Sequence, residues 1–242
     1  MPLARLNLSE NDAYHIAMIH VDIISDTACP WCYIGKRRFE QAVAMRSHYE
    51  FQVSWRPFQL TPDIPPSGLP RREYLIAKFG GPERADRVYE AIRKAGEEIG
   101  LNFDFQSIPH QPNTFDSHRL VRWSETAGAQ NSVVEKLFLN YFVNSADVGD
   151  QELLISIASE CGMDGELVRY LFREDADRDL VMSEEGLARR GGINGVPCFV
   201  IDNKYAVTGA QDPSVLTNVF DLAMQDQNKL PSSNNHETAD IV

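Results

Sequence analysis

Residues 25–40 read SDTACPWCYIGKRRFE, and this stretch separates Cys29 and Cys32 by two residues. A β-branched run, HVDIIS at 20–25, leads directly into it and is typical of a buried strand. The residues that follow, 33–49, space their apolar side chains as an amphipathic helix does. The sequence therefore predicts a strand, then the cysteine pair, then a helix whose first turn carries both thiols.

The next part of the chain predicts a second strand and then a long helical segment. The strand is expected at 51–60, FQVSWRPFQL, and completes a β-α-β unit. The turn-rich TPDIPPSGLP follows and opens a segment, 62–190, in which helical periodicity recurs without a convincing strand. About five helices are expected there, too many for a simple crossover.

Strand character returns near the end of the chain. The run VPCFVI at 196–201 is followed by Asp-Asn at 202–203, which predicts a tight turn to an antiparallel partner at 205–208. A last helix is expected to begin at Asp212 and Pro213, a capping residue followed by a proline in the first helical position.

This order of elements, with CxxC after the first strand, is that of an α/β thioredoxin fold with a large all-helical domain inserted between the second and third strands. We expect a discontinuous thioredoxin-like domain at 18–61 and 191–228 and an inserted helical domain at 62–190. The remaining residues, 229–242, offer little to bury and are expected to form a flexible C-terminal tail.

Composition excludes several classes of protein. With 43% hydrophobic and 24% charged residues, the 242-residue chain can bury a sizeable core, and four cysteines are too few for a disulfide-framed secreted scaffold. A net charge of −12 argues against a nucleic-acid partner. No stretch approaches the ~18 apolar residues of a membrane span, and residues 1–20 lack the apolar segment of a signal peptide. We therefore expect a cytoplasmic protein without a membrane partner. Because thiols are kept reduced in the cytoplasm, a close cysteine pair there is more often catalytic, sensing or metal-binding than a structural disulfide.

Helix geometry predicts different roles for the two thiols. If the helix begins at Cys29, the unpaired N–H groups and positive dipole of its first turn stabilise the thiolate of that residue. Pro30 fits this register because the first helical position needs no N–H. We expect an exposed Cys29 to attack a disulfide and a more shielded Cys32 to release the mixed disulfide. Trp31 either packs against the helical segment or, with Pro30, offers an apolar surface to the substrate.

A proline opens the third strand of the expected sheet. Pro197 follows Gly195 and Val196, and a proline is tolerated at the first residue of a strand because it cannot donate to the ladder. Such a tight entry is often accompanied by a cis bond, so a cis Val196–Pro197 peptide is expected.

Taken together, these motifs resemble the FrnE-like branch of the DsbA-type thioredoxin-fold oxidoreductases. That branch is related to the 2-hydroxychromene-2-carboxylate isomerases and the kappa-class glutathione transferases. The resemblance covers most of the chain, and the stretches that carry it are SDTACPWCYIGKRRFE (25–40), SWRPFQLTPDIPPSG (54–68), PNTFDSHRL (112–120) and GGINGVPCFVIDNKYAVTGAQ (191–211).

The resemblance implies thiol–disulfide exchange at Cys29 and Cys32, with the cis-proline Pro197 opposite them. It implies that Val196 offers main-chain hydrogen bonds to an extended substrate. The partner would be a protein or small molecule that bears a disulfide or a thiol. The redox potential, on which a reductase, oxidase or isomerase role depends, and the oligomeric state do not follow from the sequence.

In relatives an Asn-Thr motif approaches the active site from the helical domain. In this chain the motif is Asn113 and Thr114, so the resemblance implies that these two residues contact the substrate. The alternative is that they cap the helix that begins at Phe115.

Two further cysteines need separate explanations. Relatives commonly carry threonine after the cis-proline, where this chain has Cys198. A third thiol there would either modulate exchange or simply fill a small buried position of the strand. Cys161 continues an apolar helical stripe and is predicted to belong to the core.

A glutathione-dependent isomerase or transferase of the same fold is the first alternative function. In those relatives the residue at the Cys29 position is typically serine, so two cysteines favour a dithiol cycle, which requires no cofactor. Asp212, however, resembles the residue with which they hold the γ-glutamyl end of glutathione. Glutathione therefore stays open as a co-substrate, and the alternative for Asp212 is a plain helix cap.

The second alternative is a metal-binding or redox-controlled interaction protein. Its ligands would be Cys29, Cys32 and Cys198 with His110 or His118. Structural zinc sites usually combine two paired ligand motifs and this chain has one, so we predict no metal. The histidines lie among polar residues and are expected to be solvated.

Overall fold

A computed structural model describes residues 18–229 of the chain. The tail expected at 229–242 lies outside the described residues except for Lys229, which ends the last helix. The strands are β1 (Met18–Ser25), β2 (Glu50–Pro57), β3 (Leu69–Pro70), β4 (His110–Gln111), β5 (Cys198–Ile201) and β6 (Tyr205–Thr208). The helices are α1 (Pro30–Ala44), α2 (Arg71–Phe79), α3 (Pro82–Glu97), α4 (Phe115–Thr126), α5 (Gln130–Phe142), α6 (Gln151–Glu160), α7 (Gly165–Arg173), α8 (Arg178–Arg190) and α9 (Pro213–Lys229).

Four strands form the central mixed sheet, in the order β2-β1-β5-β6. β1 runs parallel to β2 and antiparallel to β5, and β5 pairs with β6 as an antiparallel hairpin. The turn of this hairpin contains Asp202 and Asn203, whose φ angles of 49° and 53° lie in the left-handed region that these residue types tolerate. With α1 between the parallel strands and α9 after the hairpin, the expected thioredoxin fold is confirmed.

The long segment between β2 and β5 is helical, as predicted, but richer in elements. It contains the seven helices α2–α8 rather than about five. It also contains a two-stranded sheet that the sequence did not reveal, in which Leu69 pairs with Gln111 and Pro70 with His110. Strands of two residues are too short to show a period of two, which is why periodicity missed them. This small sheet ties the start of α2 to the chain just before α4.

Helix α1 is packed on both sides, which fixes the position of its first turn. Towards the sheet, the ring of Phe39 stacks on Phe199 with centroids 5.7 Å apart. Towards the helical segment, Tyr33 stacks on Phe138 of α5 at 5.0 Å. Aromatic pairs at these separations contribute packing energy beyond the area that they bury. Cys161, half-buried at the end of α6, packs against the same core.

No helix in the described part of the chain is long and apolar enough to cross a membrane.

Candidate active site

Cys29 lies where β1 turns into α1. It is the N-cap residue of α1, with an extended backbone (φ −99°, ψ 114°), and Pro30 takes the first helical position. The Cys29 N–H donates to the carbonyl of Asp26, and the Cys32 N–H donates to the carbonyl of Cys29, both at 3.0 Å. The first turn of α1 carries no acidic side chain. The sequence placed both thiols in the first turn of a helix, and the structure confirms that placement.

The expectation that Cys29 is exposed is wrong. Only 4% of the surface of Cys29 is accessible to solvent, and only 1% of the surface of Cys32 is. Cys29 nevertheless lines a groove of about 270 Å³, whereas Cys32 does not. A ligand in this groove therefore meets the sulfur of Cys29 first.

The surroundings of Cys32 disfavour its ionised form. Burial raises the pKa of the Cys32 thiol well above its ordinary value, and the hydrogen bond and negative charge of Cys29 raise it further. The hydroxyl of Ser25 and the backbone of Asp26 act in the opposite direction but do not cancel the effect of burial.

A cis-proline loop lies opposite Cys29. The Val196–Pro197 peptide bond is cis, as the sequence predicted. The Cys29 thiol faces the carbonyl oxygen of Val196 at a distance of 3.9 Å, a weak contact. Val196 and Gly195 both line the groove, while Pro197 is buried beneath them. Val196 and Gly195 are thus within reach of a ligand held at Cys29.

The groove is mainly apolar, and the helical segment forms part of its wall. Trp31 is 37% exposed and lines the groove together with Pro30. The opposite wall comes from the loop after β2 and from α2 and α3. Its apolar and aromatic lining residues are Leu60, Ile64, Tyr74, Phe79, Val88, Tyr89 and Ile92.

Asn113 and Thr114 lie in different places. Thr114 is buried and lines the Cys29 groove. Asn113 lines a separate cavity, where its Oδ1 accepts the N–H of Phe115 at 2.9 Å and its Nδ2 donates to the carbonyl of Ile64 at 2.5 Å. Asn113 therefore fixes the start of α4, and of the two only Thr114 reaches the groove.

A buried polar group that the sequence did not reveal lies behind Cys29. Asp26 is almost fully buried and accepts the N–H of Ala28 at 3.1 Å and of Leu60 at 2.8 Å. His118 Nε2 lies 3.9 Å from its Oδ1. His118 is 3% exposed, so the expectation that it is solvated is wrong. Burial lowers the pKa of His118 despite the nearby charge of Asp26, which keeps the imidazole neutral near pH 7.

Cys198 belongs to the other face of the sheet. It packs with Ile24 and Phe58, away from Phe199, its neighbour in β5, which faces α1. Side chains alternate between the faces of a strand, so Cys198 and Phe199 must point to opposite sides. Burial raises the pKa of the Cys198 thiol. These observations favour a buried strand residue.

The structure does not assemble the metal ligands that the sequence left open. Among residues 18–229 no three His, Cys, Asp or Glu side chains are grouped so that they could hold a metal ion. His110 is exposed on β4, and Cys198 is on the far side of the sheet.

Asp212 is exposed and does not line the Cys29 groove. Its Oδ1 accepts the backbone N–H of Ser214 at 2.9 Å and the hydroxyl of the same residue at 2.6 Å. These two hydrogen bonds, the hydroxyl first, lower the pKa of Asp212. It therefore caps α9 in this structure.

A CxxC pair in the first turn of α1, facing a cis-proline at the start of β5, is the arrangement around which thioredoxin-fold dithiol proteins are built. The fold and the site thus define the class. Within it, the chain belongs to the DSBA-like thioredoxin domain family, whose model matches residues 20–221.

Solved structures agree with this assignment. The chain is 33% identical to a probable DsbA oxidoreductase from Streptomyces coelicolor, over 88% of this chain and 92% of that one, with a TM-score of 0.79. A 2-hydroxychromene-2-carboxylate isomerase shares the fold at 14% identity, over 86% and 98% of the two chains, with a TM-score of 0.67. The cytosolic disulfide reductase DsbM from Pseudomonas aeruginosa, solved with GSH, shares it at 14% identity over 87% and 100%, with a TM-score of 0.57.

Proposed function

We propose that this chain is a thiol–disulfide oxidoreductase in which Cys29 is the nucleophile and Cys32 the resolving thiol. One observation carries the assignment: Cys29 lines the groove and Cys32 does not. An incoming disulfide can reach only the first sulfur. The second, buried in the same turn of α1, is placed to attack the first from inside.

The reaction proceeds through two exchanges. The Cys29 thiolate attacks one sulfur of a substrate disulfide, forms a mixed disulfide and releases the other half as a thiolate. Cys32 then loses its proton and attacks the Cys29 sulfur, which forms the Cys29–Cys32 disulfide and releases the second thiolate. Two electrons pass from the enzyme dithiol to the substrate, and the reverse sequence oxidises a substrate dithiol.

The groove favours a ligand with apolar groups next to its sulfur. Among the described residues that line it, only Lys78 and Asp26 are charged, and Asp26 is occupied by backbone N–H groups. Trp31 and Ile64 are placed to contact apolar side chains, while Val196 offers a main-chain carbonyl. This lining suits an extended polypeptide segment beside a cystine, or a small disulfide of similar polarity. A cytoplasmic location, where cellular thiols would reduce the enzyme again, is part of the proposal.

The proposal can be tested with a self-quenched fluorescent peptide disulfide as substrate and dithiothreitol as reductant. We expect the wild type to accelerate the reaction and Cys29→Ser to abolish it. With the peptide disulfide but without dithiothreitol, Cys32→Ser is expected to accumulate a mixed disulfide at Cys29, visible by mass spectrometry of the intact protein. Cys161→Ser, which removes a half-buried thiol of the helical segment, is the control and is expected to keep activity. Absence of exchange by the wild type, or full activity of Cys29→Ser, would contradict the proposal.

Glutathione is a second candidate as co-substrate rather than cofactor. The observation that favours it is the shared fold of a disulfide reductase solved with GSH. If Asp212 binds the γ-glutamyl end of the tripeptide, Asp212→Asn is expected to raise KM for glutathione at least about tenfold with peptide turnover by dithiothreitol unchanged. Because asparagine caps a helix as well as aspartate does, this variant isolates the charge. An unchanged KM would leave Asp212 as a cap only.

A further inference from the structure

A buried guanidinium begins α2, outside the Cys29 groove. Arg71 is only 2% exposed. Its Nη1 donates to Gln111 Oε1 at 3.1 Å and to the hydroxyl of Tyr141. Its Nε and Nη2 are buried without a hydrogen-bond partner in the part of the chain that the structure describes. A buried charge with unused donors is costly unless an anion pairs with it.

Aromatic rings hold this guanidinium in one orientation. Its carbon lies 5.1 Å from the ring centre of Tyr89, 5.4 Å from that of Tyr141 and 6.0 Å from that of Phe105. Cation–π contacts at these distances are attractive, but they use the faces of the guanidinium and leave its edge free. The hydrogen bonds of Nη1 fix its rotation. The free edge is therefore oriented before any ligand binds.

The two free donors form a fork that fits a carboxylate. The N–H groups of Nε and Nη2 lie parallel on one edge of a guanidinium, the geometry of a bidentate pair. This protein uses that edge elsewhere: Nε and Nη2 of Arg46 each donate to one carboxylate oxygen of Asp221 at 2.7 Å. Arg71 offers the same fork, and no carboxylate among residues 18–229 pairs with it.

Arg71 lines a cavity large enough for a small organic acid. The volume is about 780 Å³. Tyr89, Phe103, Phe105 and Ile108 give it an apolar part, and its charged lining residues besides Arg71 are Arg72, Asp86, Glu90, Arg93 and Asp104. Two of its three lining carboxylates have other partners. Glu90 pairs with Arg93 at 2.7 Å, and Asp104 accepts the N–H of Ser107 at 3.3 Å.

We propose that this cavity binds a small carboxylic acid with an apolar or aromatic body, its carboxylate accepting Nε–H and Nη2–H of Arg71. Tyr89 lines both this cavity and the Cys29 groove, so the bound acid lies next to the wall of the groove. The proposal stands on Arg71 and its cavity and does not depend on exchange at Cys29.

NMR of the arginine Nε–H groups in the whole ¹⁵N-labelled protein provides the test, with benzoate as the probe. The Arg71 resonance is assigned by its loss in Arg71→Lys. We expect it to shift saturably with benzoate and at least about tenfold more weakly with benzamide, which has the same shape without the charge. Arg71→Lys keeps a charge but loses the fork, and its affinity for benzoate, followed by calorimetry, should fall at least about tenfold.

Arg72→Gln is the matched control. Arg72 is the exposed neighbour of Arg71 and lines the same cavity. If benzoate binding depended only on the positive charge of the cavity, Arg72→Gln would weaken it at least as much as Arg71→Lys does. Because Arg72 gives the cavity charge but no hydrogen bond to the bound carboxylate, we expect the affinity of Arg72→Gln for benzoate to fall at most about threefold, far less than in Arg71→Lys. If Arg71→Lys fails to fold, the comparison of benzoate with benzamide on the wild type still tests whether the site requires a carboxylate.

Several results would overturn the proposal. One is the absence of a saturable shift at Arg71. Others are equal shifts with benzamide, an effect of Arg72→Gln as large as that of Arg71→Lys, or tighter binding of inorganic phosphate than of benzoate at Arg71. The last would identify a site for tetrahedral oxyanions instead.

Discussion

Gly35 of α1 lies directly against Pro197. A Cβ atom on Gly35 would be 2.7 Å from Cγ of Pro197 and 3.4 Å from the ring of Phe199. The same helix that begins with the two thiols therefore approaches the cis-proline loop as closely as its backbone allows. Only glycine permits this separation, which sets the distance between the first turn of α1 and Val196.

We expect Gly35→Ala to damage both stability and exchange. The added methyl must push Pro197 or α1 aside, and overpacking of this kind costs about 1–3 kcal/mol, partly offset by the better helix propensity of alanine. Urea denaturation should show a net loss of about 1–2 kcal/mol. Peptide-disulfide turnover should fall because the Val196 loop moves relative to Cys29.

Gly186→Ala in α8 is the control for this variant. There a Cβ would meet only the guanidinium of Arg190, with Nη1 at 3.0 Å, the far end of a flexible side chain that can move. Stability should rise slightly through helix propensity, with unchanged turnover. If Gly35→Ala behaves like Gly186→Ala, the close contact with Pro197 has no role in fixing the site.

The parts of the site that local sequence determines were predictable. The strand, the CxxC pair and Pro30 place Cys29 at the N-cap of α1, and Asp202 and Asn203 specify the hairpin that follows Pro197. Such features depend on neighbours along the chain, and the residue types alone indicate them.

The burial of Cys29 was not predictable in the same way. Cys29 shares its groove with Tyr89 and Ile92 of α3, which the fold brings to the start of α1 from far along the chain. The burial of Asp26 and His118 was not predicted either, because a polar residue after a strand or within a helix is expected to be solvated until its tertiary neighbours are known. Periodicity reports which face of an element is apolar, but not which element covers it.

The raised pKa of Cys32 predicts how the second exchange depends on pH. In the mixed disulfide Cys29 carries no charge, but burial, the largest cause of the shift, remains. The attacking thiolate is then a small fraction that grows about tenfold per pH unit below the pKa. We expect the rate of the second exchange to keep rising between about pH 6 and 9.

Stopped-flow release of the second chromophoric thiolate from an aromatic disulfide reagent measures this step. Cys32→Ala should show release of the first thiolate only, which identifies the phase. A rate that levels off by about pH 9 would mean that the Cys32 thiol ionises like an ordinary cysteine, with a pKa of about 8.5, or more readily, in conflict with its burial in the first turn of α1.

An ion pair between α1 and α5 predicts a loss of stability in acid. Lys36, almost fully buried, lies 2.7 Å from Glu135, which also accepts the hydroxyl of Tyr33 at 2.8 Å. Burial acts to raise the pKa of Glu135, but the hydrogen bond and charge of Lys36 and the hydroxyl of Tyr33 lower it overall. The folded state therefore binds the proton of the Glu135 carboxyl less tightly than the unfolded state does. The stability that this ion pair contributes is fully present above the ordinary carboxyl pKa of about 4.3 and is lost as pH falls through the lower pKa that Glu135 has in the folded state.

We therefore expect Glu135→Gln to reduce the free energy of unfolding by about 2 kcal/mol at neutral pH, because it leaves Lys36 with fewer counter-charges. The difference from the wild type should close towards about pH 3, where the wild-type carboxyl is protonated too. Glu160→Gln, which removes an exposed partner of Lys136, should produce no measurable change. A deficit of Glu135→Gln that persists unchanged in acid would show that packing, not charge, causes it.

Cys198 is expected to stay out of the redox cycle even though it directly follows Pro197. Its side chain packs with Ile24 and Phe58 on the face of the sheet away from α1, and burial raises the pKa of its thiol. Mild oxidation followed by alkylation and peptide mapping should find Cys29 joined to Cys32, with Cys198 reduced and modified only after unfolding. Cys198→Ala should cost about 1 kcal/mol, as loss of a small buried side chain does, and leave turnover of the peptide disulfide unchanged. A disulfide between Cys198 and either thiol of α1 would require β5 to turn its side chains over, and detection of one would contradict the pairing of Cys198 with Ile24 in the sheet.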